Sequence, residues 1–94
     1  MSSNLRYVVV RRYKTFGRSD VDLIELLELE PNESVRKAEW TSPSGVKPAI
    51  EIFDPENEDH AIKVTGEILS EPLSRSEATK VMDDLKIIDQ VLGQ

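Results

Sequence analysis

From residue 35 onward the chain is broken by turns at regular spacing, and that rhythm constrains its fold more than any other feature. Val35–Thr41 runs into Ser42-Pro43-Ser44-Gly45. Val46–Phe53 runs into Asp54-Pro55-Glu56-Asn57-Glu58-Asp59, and Ala61–Leu69 follows. Such clusters stop an extended run because Gly admits positive φ, Pro fixes φ, and Asn, Asp and Ser bond their own backbone. Between the turns the period is two. Ile50 and Ile52 alternate with Glu51 and Phe53, and Ile62, Val64 and Ile68 alternate with Lys63, Thr65 and Glu67. Half-buried antiparallel strands with one face on a core have this pattern. Pro48 has no N–H to give, so the start of its strand belongs at an edge or a bulge.

At Ser74 the period changes. Ser74 and Glu77 have capping-box spacing, in which hydroxyl and carboxylate satisfy opposite orphan N–H groups. Ala78, Val81, Met82, Leu85, Ile88 and Leu92 then recur on one helical stripe, and Gly93 ends the run. The spacing predicts a helix over Ser74–Leu92. With Ala78 at zero and about 100° per residue, Ile87 falls near 180° and Val91 near 220°. They lie on the outer face, in line with Lys80 and Asp84. Water-facing Ile and Val at contact spacing mark a partner or homodimer contact, unless the last turn is covered by the Leu5–Lys14 strand.

The first third reads less uniformly. Leu5–Lys14 is rich in Tyr and Val and holds the unbroken run Val8-Val9-Val10. It reads as a strand, with Leu5, Tyr7, Val9 and Tyr13 on one face and Val8, Val10, Arg6, Arg12 and Lys14 on the other. Phe16-Gly17 marks a turn. Val21–Leu29 admits two readings. Its Leu and Glu are strong helix formers, Ser19 and Asp22 give a loose cap, and Leu23, Leu26 and Leu27 share a helical face, so a short helix is favoured. A strand also fits, because Pro31-Asn32-Glu33-Ser34 makes a good hairpin turn. On the helical reading, residues 20–92 run helix, three strands, helix, an order that resembles a double-stranded RNA-binding domain. Ser74, Arg75, Ser76 and Glu77 stand where that family has its lysine cluster, and no family is assigned.

The expected fold class is α+β: an antiparallel meander sheet of four to five strands, covered on one face by the C-terminal helix, in one domain over residues 1–94. There is no Cys, so disulfides, thiolate metal sites and Cys nucleophiles are excluded. No apolar run approaches the roughly 20 residues a membrane helix needs. Met1-Ser2-Ser3-Asn4 does not open a signal peptide, and a cytoplasmic location is expected.

Candidate chemistry is thin. His60 is the only histidine, and a Ser-His-Asp site would have to be built around it. Its place at the end of an acidic turn is explained by loop polarity. Asp54, Glu56, Glu58 and Asp59 alternate like calcium ligands. An EF-hand loop starting at Asp54 would need Gly where Asp59 stands and a bidentate Glu where Thr65 stands. The four glycines are scattered singly, so no phosphate loop is present. No enzyme, no metal and no cofactor are expected.

Charge is distributed unevenly. Residues 1–18 carry Arg6, Arg11, Arg12, Lys14 and Arg18 and no acid, whereas the remainder carries seven basic residues against eighteen acids. The favoured reading is a small acidic protein-binding module, an inhibitor or nucleic-acid mimic, that occupies a basic partner surface. Its candidate contacts are Ile87, Val91, Asp84, Glu56, Glu58 and Asp59. The alternative is a nucleic-acid-binding domain that uses the basic-aromatic strand through Arg6, Arg12, Lys14, Tyr13 and Phe16. Against it, those charges have Glu25, Glu28 and Glu30 nearby to pair with, and the acidic balance elsewhere repels a polyanion. Trp40 beside its Pro/Gly turn reads as a core residue, with an exposed interface anchor as the other reading.

Overall fold

The computed structural model describes residues 5–93, apart from the side chain of Phe16. The Met1–Asn4 segment, on which the signal-peptide reading rests, lies outside the described residues. Five strands and one helix follow in order: β1 (Arg6–Phe16), β2 (Ser19–Leu29), β3 (Ser34–Ser42), β4 (Gly45–Asp54), β5 (Asn57–Ile68) and α1 (Arg75–Leu92). They form one antiparallel sheet of order β2-β1-β5-β4-β3 with the helix packed on it, an α+β fold.

The Val21–Leu29 segment is a strand, not the short helix its composition favours. It pairs with β1 from Arg6↔Leu29 to Phe16↔Ser19. Ile24 and Leu26 pack in the cluster beneath the helix, and Leu27 and Leu29 pack in a second cluster on the other face. A strand buried on both faces has no clean alternation, so its apolar residues mimic a helical stripe, and tertiary pairing overrides propensity. With a strand here, the order that resembled a double-stranded RNA-binding domain is gone.

β1 is the hub. Val8 and Val10 point into a cluster with Leu29 and Ile50, to which Leu27, Val35, Ile52, Val64 and Ile68 add. All five strands therefore contribute to that core. Val9 points the other way, to Ile24 and Ala78 under the helix. This explains the unbroken valine run: its three residues are fully buried, on alternate sides. Each contributes about 1.5 kcal/mol or more by burial.

The two parts of the sheet are joined narrowly. β1 meets β5 only through Val10↔Ile68, Arg11↔Glu67 and Arg12↔Gly66. Gly66 has φ 153°, and a Cβ there would collide with the carbonyl oxygen of Arg11, so only glycine lets the two strands approach. Beyond Ile68 the chain stays beside β1. Leu69 N–H donates to Val9 O at 2.8 Å, Ser70 Oγ accepts from Val9 N–H at 2.9 Å, and Tyr7 and Leu73 exchange two 2.8 Å bonds. At the other limit of the joint, Thr65 Oγ1 donates to Tyr13 O at 2.9 Å. Pro48 sits just past Ala49↔Thr65, where the β4–β5 ladder stops, as its missing N–H requires.

α1 begins at an N-cap Ser74, whose Oγ accepts from Glu77 N–H at 3.3 Å and donates to Glu77 Oε1 at 2.7 Å. The Glu carboxylate thus answers the cap hydroxyl and not the cap N–H. Ala78, Val81, Met82 and Leu85 pack toward β1 and β2. Ile88 and Leu92 do not, although they share that stripe. They are 51% and 78% exposed. Near that end Arg11 holds Asp89 with two hydrogen bonds, of 3.1 and 3.3 Å. The apolar contact ends with Leu85, so the stripe continues in sequence beyond the surface it was meant to cover.

Candidate functional site

The basic strand is largely neutralised by its own neighbours. Glu25 lies across from Val10 on the same face as Arg12 and Lys14 and accepts from both, at 3.3 and 3.5 Å. Arg11 is tied to Asp89 at 3.1 Å, and the Asp89 hydrogen bond holds its guanidinium more strongly protonated than usual. Arg6 turns its guanidinium onto the backbone carbonyls of Glu33 and Glu30. Tyr7 packs beneath the helix and donates to Glu28 Oε1 at 3.2 Å. Tyr13 is half-buried. Burial and then the Glu67 hydrogen bond push its hydroxyl pKa up. The described members of the proposed nucleic-acid surface are thus engaged inside the fold, and the Phe16 side chain lies outside the described set.

The acidic turns behave differently. Two of them, distant in sequence, meet. Asn32 Nδ2 in the β2–β3 turn donates to Asp54 Oδ2 at 3.0 Å, and Asp54 Oδ1 caps Glu56 N–H at 2.9 Å. Those two bonds pull the Asp54 carboxyl below the usual carboxylate range. Glu33 Oε1 accepts from Glu30 N–H at 2.8 Å and fixes the other turn. Glu30, Asn32, Glu33, Asp54, Asn57 and His60 line a shallow hollow between the turns.

Among the described residues, the side-chain carboxylates of Glu30, Glu33, Asp54, Glu56 and Asp59 form no ion pair, although Arg6 reaches the backbone carbonyls of Glu30 and Glu33. Glu58 alone of the expected turn acids is taken, by Arg36 at 2.9 Å. Arg36 also pairs with Glu51 at 2.8 Å and stacks on Phe53 with its guanidinium carbon 4.1 Å from the ring centroid. His60 is exposed at the rim of this hollow. Among the described residues no group of three or more His, Cys, Asp or Glu is disposed to hold a metal ion.

The expected partner residues fall into two separate places. Glu56 lies in the short β4–β5 turn, whereas Glu58 and Asp59, expected in that turn, open β5 beside it because the strand begins at Asn57. Asp84, Ile87 and Val91 lie on the helix, with Ile87 58% and Val91 67% exposed. Among the described residues no hydrogen bond or ion pair joins the two sets.

Sequence reasoning missed a further region. Trp40 is 46% exposed, not a core residue. Strand alternation puts it opposite Lys47 on the same sheet face as Thr65 and Tyr13, and these residues line a cleft of about 530 Å³ with Asp20 and Asp22. The signal for it was present, because Trp40 directly precedes a turn and its strand neighbours are polar. The acidic end was half-legible. The 54–59 run was plain in the sequence, but its meeting with Glu30 and Glu33 depends on how β2 leads into β3.

No protein-family model, curated protein or solved structure matches this chain. No helix among the described residues is long and apolar enough to cross a membrane.

Proposed function

We propose that the chain is a non-enzymatic, cytoplasmic protein-binding module whose acidic end engages a basic surface on its partner, as an inhibitor or nucleic-acid mimic would. One observation supports this reading: Arg11, Arg12 and Lys14 pair with acids inside the fold and Arg6 meets only the backbone carbonyls of Glu30 and Glu33, whereas among the described residues the side-chain carboxylates of Glu30, Glu33 and Asp54, which line one hollow, and of Glu56 and Asp59 beside it form no ion pair. A preorganised cluster of unpaired carboxylates raises the rate of encounter with a cationic surface and repels polyanions. The Asn32–Asp54 hydrogen bond supplies the preorganisation by tying the two turns together.

The test is titration of the isotope-labelled chain with an arginine-rich peptide, read by amide chemical shifts, beside gel shifts with single- and double-stranded DNA and RNA. Salt-sensitive changes confined to residues 30–33 and 54–60 are expected, weakened in Glu30→Gln/Glu56→Gln/Asp59→Asn, with no nucleic-acid shift. Saturable nucleic-acid binding that is lost in Arg6, Arg12 and Lys14 variants would reverse the reading.

A further inference from the structure

β3 forms an outer edge of the sheet, and its main-chain groups can be followed strand by strand from the observed bonds. Tyr7 and Val9 direct their N–H and C=O groups toward residues 69–73. Odd residues of β1 therefore face β5, and Arg11↔Glu67 is a hydrogen-bonded pair. Alternation then turns the even residues of β5 toward β4, with Ile50↔Val64 and Ile52↔Ile62 bonded. The odd residues of β4 turn toward β3, which takes them with its even residues, as in Arg36↔Glu51, Ala38↔Ala49 and Trp40↔Lys47. The main-chain groups of Val35, Lys37, Glu39 and Thr41 are left pointing outward. Among the described residues nothing bonds to them.

The side chains along this edge are self-complementary about Ala38. Turned end for end on itself, the segment sets Lys37 against Glu39, Arg36 against Trp40, Val35 against Thr41 and Ser34 against Ser42. We propose that β3 pairs antiparallel with β3 of a second copy of this chain, about a two-fold axis through Ala38, and so continues the sheet from one copy into the other.

The hydrogen-bonding phase agrees with that axis. Lys37–Glu39 and Val35–Thr41 become the bonded pairs, using the groups left outward. Ala38 faces Ala38 at the closer non-bonded spacing, where a small side chain fits. Opposite charges directly across antiparallel strands attract. Moving the axis by one residue sets Lys37 against Lys37 or Glu39 against Glu39, so charge selects the register. Trp40 of each copy comes to lie against the Arg36 stem of the other, whose guanidinium stays on its own Phe53. An edge guarded against pairing carries charges that repel a copy of itself. The charge order here is the reverse of that. The inference is independent of the acidic end, which lies at the turns.

The experiment measures the mass of the full chain by sedimentation equilibrium over a rising concentration series, with emission of Trp40, the only tryptophan. A concentration-dependent rise to twice the chain mass is expected, with a blue shift of Trp40 on association. Lys37→Glu and Glu39→Lys should each return the chain to monomer while circular dichroism stays unchanged. The double swap Lys37→Glu/Glu39→Lys should restore the dimer. A monomer at every concentration would overturn the proposal. So would a Lys37→Glu chain that stays dimeric, a double swap that stays monomeric, or a dimer abolished by Ile87→Lys/Val91→Lys but not by Lys37→Glu.

Discussion

The β1–β2 hairpin and the β3–β4–β5 meander are built from the same kind of strand but are covered differently. The hairpin lies between two clusters: the helix packs on one face and the five-strand core on the other. The meander contributes Val35, Ile50, Ile52 and Val64 to the shared core, and its opposite face carries Arg36, Glu51, Lys63 and the half-exposed Trp40. Burial on two faces yields continuous apolar runs and hides the strand period. Burial on one yields alternation and shows it. The difference teaches that the legibility of a strand depends on its neighbours more than on its own residues.

Breaking the joint between the two regions should have the largest effect. Gly66→Ala forces a Cβ into the Arg11 carbonyl at a φ that L side chains rarely adopt. Strain and lost pairing together should cost about 5 kcal/mol, and both regions should unfold in one shifted denaturant transition. If only the meander loses stability, the three-pair contact is not what couples them.

The two cores rank next. Ile50→Ala empties the cluster to which all five strands contribute and should cost about 2 to 5 kcal/mol. Leu85→Ala on the half-buried helix face should cost less, about 1 to 2 kcal/mol, because the site already touches solvent. Native-state hydrogen exchange should show α1 opening at lower free energy than β1. Equal opening energies would mean that helix and sheet form one cooperative unit.

Acid should act on the meander side. Arg36 lowers the Glu51 pKa mainly by its hydrogen bond, and Asn32 and the Glu56 N–H lower that of Asp54. A depressed carboxyl pKa in the folded state contributes stability that is present above the unfolded pKa and is lost as pH falls through the folded one. Stability should therefore decline from the ordinary carboxylate range downward, and Asp54→Asn should flatten the lower part of that decline. Midpoints from denaturant melts at stepped pH check the slope. An unchanged slope would show that the turn-to-turn bond is not formed in solution.

The smallest effects belong to side chains outside both cores. His60→Ala and Ile88→Lys should each change stability by less than about 0.5 kcal/mol, by thermal melting. A larger loss for Ile88→Lys would place the end of α1 against the sheet after all.

What could be read in advance follows the same contrast. β3, β4 and β5, and the capped start of α1, were legible because turn residues and a period of two or 3.6 mark them locally. β2 was not, since Leu23, Glu25, Leu26 and Leu27 satisfy a helix as well as a strand until β1 is set beside them. Ile88 and Leu92 continue the stripe faithfully, but a stripe does not say where the surface beneath it ends. The candidate site divides likewise. The Asp54–Asp59 acids were visible, and the pairing of Arg12 and Lys14 with Glu25 was foreseeable from charge. The Asn32–Asp54 bond depends on a contact between distant segments.

The position of β1 also bears on how the chain is made. Its valine run leaves the ribosome before β5 and α1, which cover it and lie some fifty to eighty residues downstream. With long-range pairing as the closing step, folding is slow and the hairpin waits half-covered. Val8-Val9-Val10 is the kind of short, β-prone run that pairs with its own copies. Arg6, Arg11, Arg12 and Lys14 stand immediately around it. During synthesis, before Glu25 and Asp89 are in place to neutralise them, these cations repel one nascent chain from the next and act as gatekeepers against aggregation.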